Sequence, residues 1–223
     1  IVYKQNGSEE FSFYAYDPSF TGGVRVATGD VNGDGWLDII TATGPGGGPH
    51  VKVFSGRDLS LLASFYAYDS SFSGGVYVAA GDIDGDGYAE VITGAGAGGG
   101  PQVRTFQIAD GTATQISGPL GSFYAYDSSF TGGVTVAAGN VDGVVGDEIV
   151  TGAASGGGPH VKVFGADGTV LASFYAYAAS FTGGVNVAVG DLDGDGRAEV
   201  LTGAGPGGGP QVCAFNIANG AAT

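Results

Sequence analysis

The sequence predicts an all-β fold, an array of about four four-stranded antiparallel units, and three observations predict it. A glycine-kinked acidic stretch occurs four times: GDVNGDGWLDIITAT at 29–43, GDIDGDGYAEVITGA at 81–95, GNVDGVVGDEIVTGA at 139–153 and GDLDGDGRAEVLTGA at 190–204. The tetrapeptide FYAY starts at 13, 65, 123 and 174, so one unit is paced along the chain. Glycine supplies 46 of the 223 residues and charged side chains only 13%, a composition of tight turns and close-packed strands, while 43% hydrophobic content can bury a real core.

The elements of one unit follow in order from residue 22. GGVRVATGD alternates Val24, Val26 and Thr28 on one face with Arg25, Ala27 and Gly29 on the other, the period of a strand. After the acidic loop, LDIITAT is a continuous apolar and β-branched run that suits a strand covered on both faces, so the two strands form a hairpin across the loop. GPGGGPH turns, VKVF is a short third strand, SGRD turns again, and LLASFYAYD is the fourth strand. The longer interval between the second and third FYAY comes from an expanded turn, QIADGTATQISGPLGS, after Phe106. Four short antiparallel strands repeated at this length, rich in Gly and aromatics, are the signature of a β-propeller blade. The chain reads as a single repeat domain over 1–223: a partial blade at 1–21, repeats at 22–73, 74–131 (with the expanded turn) and 132–182, and a repeat lacking its last strand at 183–223.

Charge narrows the function. The formal net charge is −15, from seven Lys plus Arg against 22 Asp plus Glu, which repels a phosphate backbone and makes nucleic acid an unsuitable partner. Fourteen of the acids sit in the four repeated loops, so the acidity is local, as for charge awaiting metal. No apolar run reaches a membrane span, and a chain without Met that begins at Ile1 reads as processed or as a piece of a longer one. The single Cys213 has no intrachain partner, and its apolar strand suggests a buried, inert thiol.

GDVNGDGWLDIITATGPGGGPHVKVF resembles the FG-GAP repeat, also described as the VCBS repeat, of integrin α-subunit propellers and many secreted bacterial proteins. The resemblance runs from the partial first unit to Ile217. It implies a β-propeller with Ca²⁺ in the loop between the first and second strands of each blade, and a secreted, extracellular or cell-surface setting. Family propellers commonly have seven blades, and this chain supplies fewer, so the ring is expected to be incomplete or open. An EF-hand loop would instead need a bidentate acid at position 12, where Thr41, Thr93 and Thr202 stand; the acid falls at position 9. By the family pattern, Asp30, Asn32, Asp34 and Asp38 offer side-chain oxygens and Trp36 its carbonyl. The second loop offers Asp82, Asp84, Asp86, Glu90 and the Tyr88 carbonyl, and the last Asp191, Asp193, Asp195, Glu199 and the Arg197 carbonyl. The third keeps Asn140, Asp142 and Glu148 but has Val144 and Val145 at positions 5 and 6, with Asp147 placed to compensate; it should bind most weakly or not at all. The alternative is a set of Asx turns capping hairpins, which leaves crowded carboxylates without a cation.

Other features read as structure. His50 and His160 share a strand-start position with Gln102 and Gln211, which fits a polar structural site better than catalysis. The Gly-rich runs precede strands and lack GK[ST], so they are turns and not phosphate cradles. In FYAYD, Phe and Ala share one face and the two Tyr the other, which fits aromatic packing between blades, with sugar binding open to any exposed Tyr. Asn6-Gly7-Ser8 matches a glycosylation sequon. The leading function is a calcium-stabilised structural or adhesion module; a glycan-binding lectin is the alternative, and an enzyme is weakest because no nucleophile and base are paired. Residues 1–17 read as third and fourth strands, and the final unit lacks its fourth. The chain ends are therefore expected to dock on adjacent repeats or on copies of the chain itself, forming an extended array or filament, with a glycan or cell-surface protein as a further partner.

Overall fold

A computed structural model describes residues 1–3, 6–218 and 220–223, and among these every regular element is a strand. A short hairpin of β1 (Val2–Tyr3) and β2 (Glu9–Phe11) comes first. The first blade is β3 (Val24–Gly29), β4 (Asp38–Thr43), β5 (His50–Phe54) and β6 (Leu61–Tyr66), paired in that order. The second is β7 (Val76–Gly81), β8 (Glu90–Ala95) and β9 (Gln102–Ala109), with β10 (Thr112–Gln115) and β11 (Ser122–Tyr124) both paired to β9. The expanded turn is thus a β-hairpin extension of the third strand. The third blade is β12 (Val134–Gly139), β13 (Glu148–Ala153), β14 (His160–Phe164) and β15 (Val170–Tyr175). The fourth is β16 (Val185–Gly190), β17 (Glu199–Ala204) and β18 (Val212–Phe215), followed by a separate hairpin of β19 (Ile217–Ala218) and β20 (Ala221–Ala222).

These four antiparallel sheets are arranged as the blades of a β-propeller. The first strands stand side by side, β3 against β7, β7 against β12 and β12 against β16, while Val24 and Val26 of β3 are left exposed. The cores lie between blades. Ile40, Val51 and Val53 meet Val76, Val91 and Phe106; Ile92 and Val103 meet Val134 and Ile149; Val150, Val161 and Val163 meet Val185 and Val200. A blade has an apolar alternation on each face, so its second strand is sandwiched, and every residue of β8 and β13 is buried as the continuous apolar runs predict. β17 is only partly covered, and among the described residues no further blade packs on it.

The fourth strands stop at the first Tyr of FYAY, short of the predicted end, and its two tyrosines separate. Tyr66 is exposed and stacks near His50, with ring centroids 5.0 Å apart, whereas Tyr68 crosses to the next blade and donates to the carbonyls of Thr93 and Gln102 at 3.0 and 2.9 Å. Tyr16, Tyr126 and Tyr177 repeat the crossing onto Thr41 and His50, Thr151 and His160, and Thr202 and Gln211. The phenylalanines stack between blades, Phe65 on Phe106, Phe123 on Phe164 and Phe174 on Phe215. His50 and His160 bond Ser64 and Ser173 through Nε2, a structural role. Cys213 is half-buried, not buried as its apolar strand suggests, because it lies in the third strand of the last, uncovered blade.

Candidate metal centre

All four acidic loops close the same hairpin in the same register. Gly29 faces Asp38, Gly81 faces Glu90, Gly139 faces Glu148 and Gly190 faces Glu199. The position-9 acid therefore begins the buried second strand, while the other acids stand on the exposed turn above it. Glycines at positions 4 and 6 of the intact loops have positive φ, 73° and 84° at Gly33 and Gly35, which lets the backbone curl around the first aspartate. In the second loop Asp82 accepts Gly85 N–H at 2.8 Å and Asp86 N–H at 3.0 Å through Oδ1, and Gly87 N–H at 3.0 Å through Oδ2. Asp86 Oδ1 accepts Tyr88 N–H at 2.9 Å. These are the Asx turns anticipated as the alternative, and the wiring gathers carboxylates: one oxygen from each of Asp82, Asp84 and Asp86 lies within 4.8 Å of the others. Asp191, Asp193 and Glu199 are gathered equally closely, with Asp191 accepting Gly194 N–H and Asp195 accepting Arg197 N–H.

The buried acids decide what these clusters lack. Glu90 Oε2 accepts Ile83 N–H at 2.9 Å and Glu199 Oε2 accepts Leu192 N–H at 2.8 Å. The second oxygen of each, Oε1, is buried without a hydrogen-bond partner. Burial, with Asp84, Asp86 and Asp82 close by, pushes Glu90 up from 4.5 to about 7, against the pull of the Ile83 N–H. An anionic oxygen left unpaired beside other carboxylates is costly, and a hard cation relieves it. Ca²⁺ takes several oxygens at about 2.3–2.6 Å, so carboxylate oxygens must come together around one ion, as those of Asp82, Asp84 and Asp86 are placed to do.

The first loop has the same turn, Asp30 accepting Gly33 and Gly35 N–H and Asp34 accepting Trp36 N–H. Its ninth residue is the shorter aspartate, and both Asp38 oxygens are engaged, Oδ2 by Val31 N–H at 3.1 Å and Oδ1 by Gly56 N–H at 3.2 Å. Both Asp38 oxygens thus have partners; burial raises its pKa, with Asp34 and Asp30 adding to the effect. Sequence reasoning missed Gly56 in this site. Its signal is the glycine itself, since a Cβ there would overlap the Leu37 carbonyl oxygen.

The third loop is held in part by a side-chain amide. Asn140 Nδ2 donates to the Val144 carbonyl at 2.6 Å, and Asn140 Oδ1 accepts Gly143 N–H, so an amide donor spans the loop and ties its first residue to its fifth. Glu148 Oε2 accepts Val141 N–H at 2.8 Å and Asp142 N–H at 3.3 Å, and its pKa is raised by burial and by Asp142. Asp147 reaches the preceding blade, where its Oδ2 accepts Asp82 N–H at 3.1 Å. Asp147 occupies loop position 8, which faces that preceding blade. At this position Ala89, Asp147 and Ala198 donate their N–H groups to the carbonyls of Asp30, Asp82 and Asn140, tying each loop to the next.

The sequence matches the FG-GAP repeat over residues 22–57, 72–109 and 183–214. Among solved structures, the chain is similar to the rhamnogalacturonan lyase YesW at 16% identity and a TM-score of 0.53, covering 89% of this chain and 39% of that one. The exotype rhamnogalacturonan lyase YesX gives 16% and 0.52 over 89% and 37%, and the Bacillus licheniformis rhamnogalacturonan lyase PL11 gives 16% and 0.52 over 80% and 40%. The chain spans about two fifths of the length of these structures, and likeness at this identity concerns the fold.

Proposed function

We propose that this chain, which carries FG-GAP repeats at three positions, is a calcium-stabilised structural module of a secreted or cell-surface protein. The observation that carries the reading is the pair of buried, unpartnered carboxylate oxygens, Glu90 Oε1, in the loop that gathers Asp82, Asp84 and Asp86, and Glu199 Oε1, whose carboxylate is gathered with Asp191 and Asp193. Asp82, Asp84, Asp86 and Glu90 would hold one ion and Asp191, Asp193, Asp195 and Glu199 another. The ion would supply charge neutralisation at the point where a surface turn enters a sandwiched strand. Loops this exposed suit the weak affinities of extracellular modules, about 10⁻⁴–10⁻³ M, which are met only where Ca²⁺ is abundant. Thermal unfolding in millimolar Ca²⁺ and in excess EDTA tests the reading, and superimposable melting curves would remove the metal from it.

One further feature favours glycan binding as a second reading. Tyr14, Tyr66, Tyr124 and Tyr175, one from each FYAY segment, are 56–80% exposed, and such ring faces can stack on sugars. A glycan array with the wild type and a Tyr66→Ala, Tyr124→Ala, Tyr175→Ala variant separates this from a purely architectural role. The likeness to lyases supports the fold and adds no activity to this chain.

A further inference from the structure

We propose that Asp147 of the third blade is a positioning residue for calcium in the second loop, so that an ion there clamps the second blade to the third. This role rests on the calcium reading above and makes the site the joint product of two blades. The second loop gathers the carboxylates of Asp82, Asp84 and Asp86, and the fully buried Glu90 of the same loop keeps its Oε1 unpartnered.

Asp82 stands at position 1, and its side chain is held by N–H groups of its own turn, Oδ1 by Gly85 and Asp86 and Oδ2 by Gly87. Its backbone is held by Asp147. The Asp147 N–H donates to the Asp82 carbonyl at 2.7 Å, and Asp147 Oδ2 accepts the Asp82 N–H at 3.1 Å. Both peptide groups flanking the Asp82 Cα are thus pinned to one residue of the next blade, which fixes the direction in which the carboxylate leaves the chain. A partner that orients a metal ligand in this way tunes affinity without touching the ion. At the other junctions the first of these bonds is kept, from Ala89 to Asp30 and from Ala198 to Asn140, but alanine has no oxygen to return the second.

The surrounding contacts fit the same role. A Cβ at Gly81 would come within 2.7 Å of Asp147 Oδ2, so glycine makes room for the carboxylate. Val145 Cγ1 lies 2.7 Å from where Gly85 would carry a Cβ, and the Ile83 carbonyl oxygen lies 3.0 Å from where Gly146 would carry one. Position 6 is glycine in the other loops, at Gly35, Gly87 and Gly196, and position 8 is apolar, at Leu37, Ala89 and Ala198. Val145 and Asp147, which look like wear in the third copy, therefore form its contact with the second.

The buried acid reaches the third blade by another route. Glu90 Oε2 accepts the Ile83 N–H at 2.9 Å, and Ile83 is 2% exposed in a core shared with Val134, Val136 and Ile149 of the third blade. Asp82 and Glu90, two candidate ligands of one ion, are each tied to that blade, one through Asp147 and one through Ile83. Linkage is reciprocal: a third blade that holds these ligands in place for Ca²⁺ is itself held more tightly, by the same factor, when Ca²⁺ is bound.

Calcium titration of the full chain, followed loop by loop by hydrogen exchange, tests this. In wild type, Ca²⁺ should slow exchange at 82–90 and at 144–148 with one shared midpoint. Asp147→Ala places at position 8 the residue already found at 89 and 198, so the fold should be retained. Its midpoint at 82–90 should rise at least about tenfold, the usual cost of losing a partner that orients a metal ligand. The midpoint at 191–199 should stay in place, and 144–148 should no longer respond. Asp147→Asn keeps a side-chain oxygen for the Asp82 N–H and should restore most of the affinity. An unchanged midpoint at 82–90 in Asp147→Ala overturns the proposal and leaves calcium binding standing. An equal shift at 191–199 overturns it too, since that marks a general structural effect. Asparagine that binds no better than alanine would refute positioning through the hydrogen bond. Wild-type exchange that ignores Ca²⁺ at 82–90 and 191–199 alike would sink the calcium reading, and this role with it.

Discussion

Replacing Glu90 by Gln removes one buried charge with almost no change of shape, and its effect should change sign with calcium. In metal-free protein near pH 8 the carboxylate is ionised against the burial that pushes it up from 4.5 to about 7. A change of that size corresponds to about 3 kcal/mol in a dry site, and solvent reaching the open loop reduces it to roughly 1–2 kcal/mol. Gln escapes this cost and keeps an oxygen for the Ile83 N–H. E90Q should therefore melt higher than wild type in EDTA, by about 2–4 °C per kcal/mol for a chain of this length. In Ca²⁺ the wild type gains RT ln(1 + [L]/Kd) from this site, about 2.7 kcal/mol at a hundredfold excess over Kd. The variant loses an anionic ligand and most of that gain, so it should melt lower. The assay is thermal unfolding of both proteins at pH 8 in each condition. If E90Q destabilises equally in EDTA and in Ca²⁺, Glu90 serves only as an acceptor for Ile83, and the reasoning about its free oxygen fails.

The metal-free protein should also lose stability as pH rises. The folded pKa of Glu90 stands above its unfolded value, so its contribution is fully present below about 4.5 and is lost as pH rises through about 7, with Asp38 and Glu148 acting in the same direction. The melting temperature in EDTA should fall across that window and flatten when Ca²⁺ is added; a rise in EDTA would refute the assignment. Among the loops, calorimetric titration should find one site fewer in Glu199→Gln and no change in Glu148→Gln, because Asn140 already bridges the third loop. A lost site in Glu148→Gln would show that this bridge gives way to a metal.

Much of the fold was legible because a propeller blade is local. Each blade is a meander of sequential hairpins, so alternation in GGVRVATGD, the apolar run LDIITAT and the glycine turns specify strands and neighbours within about fifty residues. The acidic loops were legible for the same reason. Their spacing sets the turn, and the turn gathers Asp82, Asp84 and Asp86 without help from elsewhere.

What the sequence did not disclose depends on groups from distant parts of the chain meeting. Asp38 and Glu90 hold the same loop position, but only packing brings Gly56 N–H to Asp38 and leaves Glu90 Oε1 bare, so one methylene and one turn glycine separate a satisfied carboxylate from an orphaned one. Asp147 looks like a spare ligand in its own loop, and it serves Asp82 of the preceding blade because position 8 faces that blade. FYAY looks like four residues of one strand, yet its second tyrosine leaves the sheet to pin the next blade through the Thr93 and Gln102 carbonyls. The repeated units by themselves determined four blades and where their acids lie. Only the tertiary structure decided which acids retain a free oxygen and which blade faces stay uncovered, because both depend on neighbours contributed by another blade.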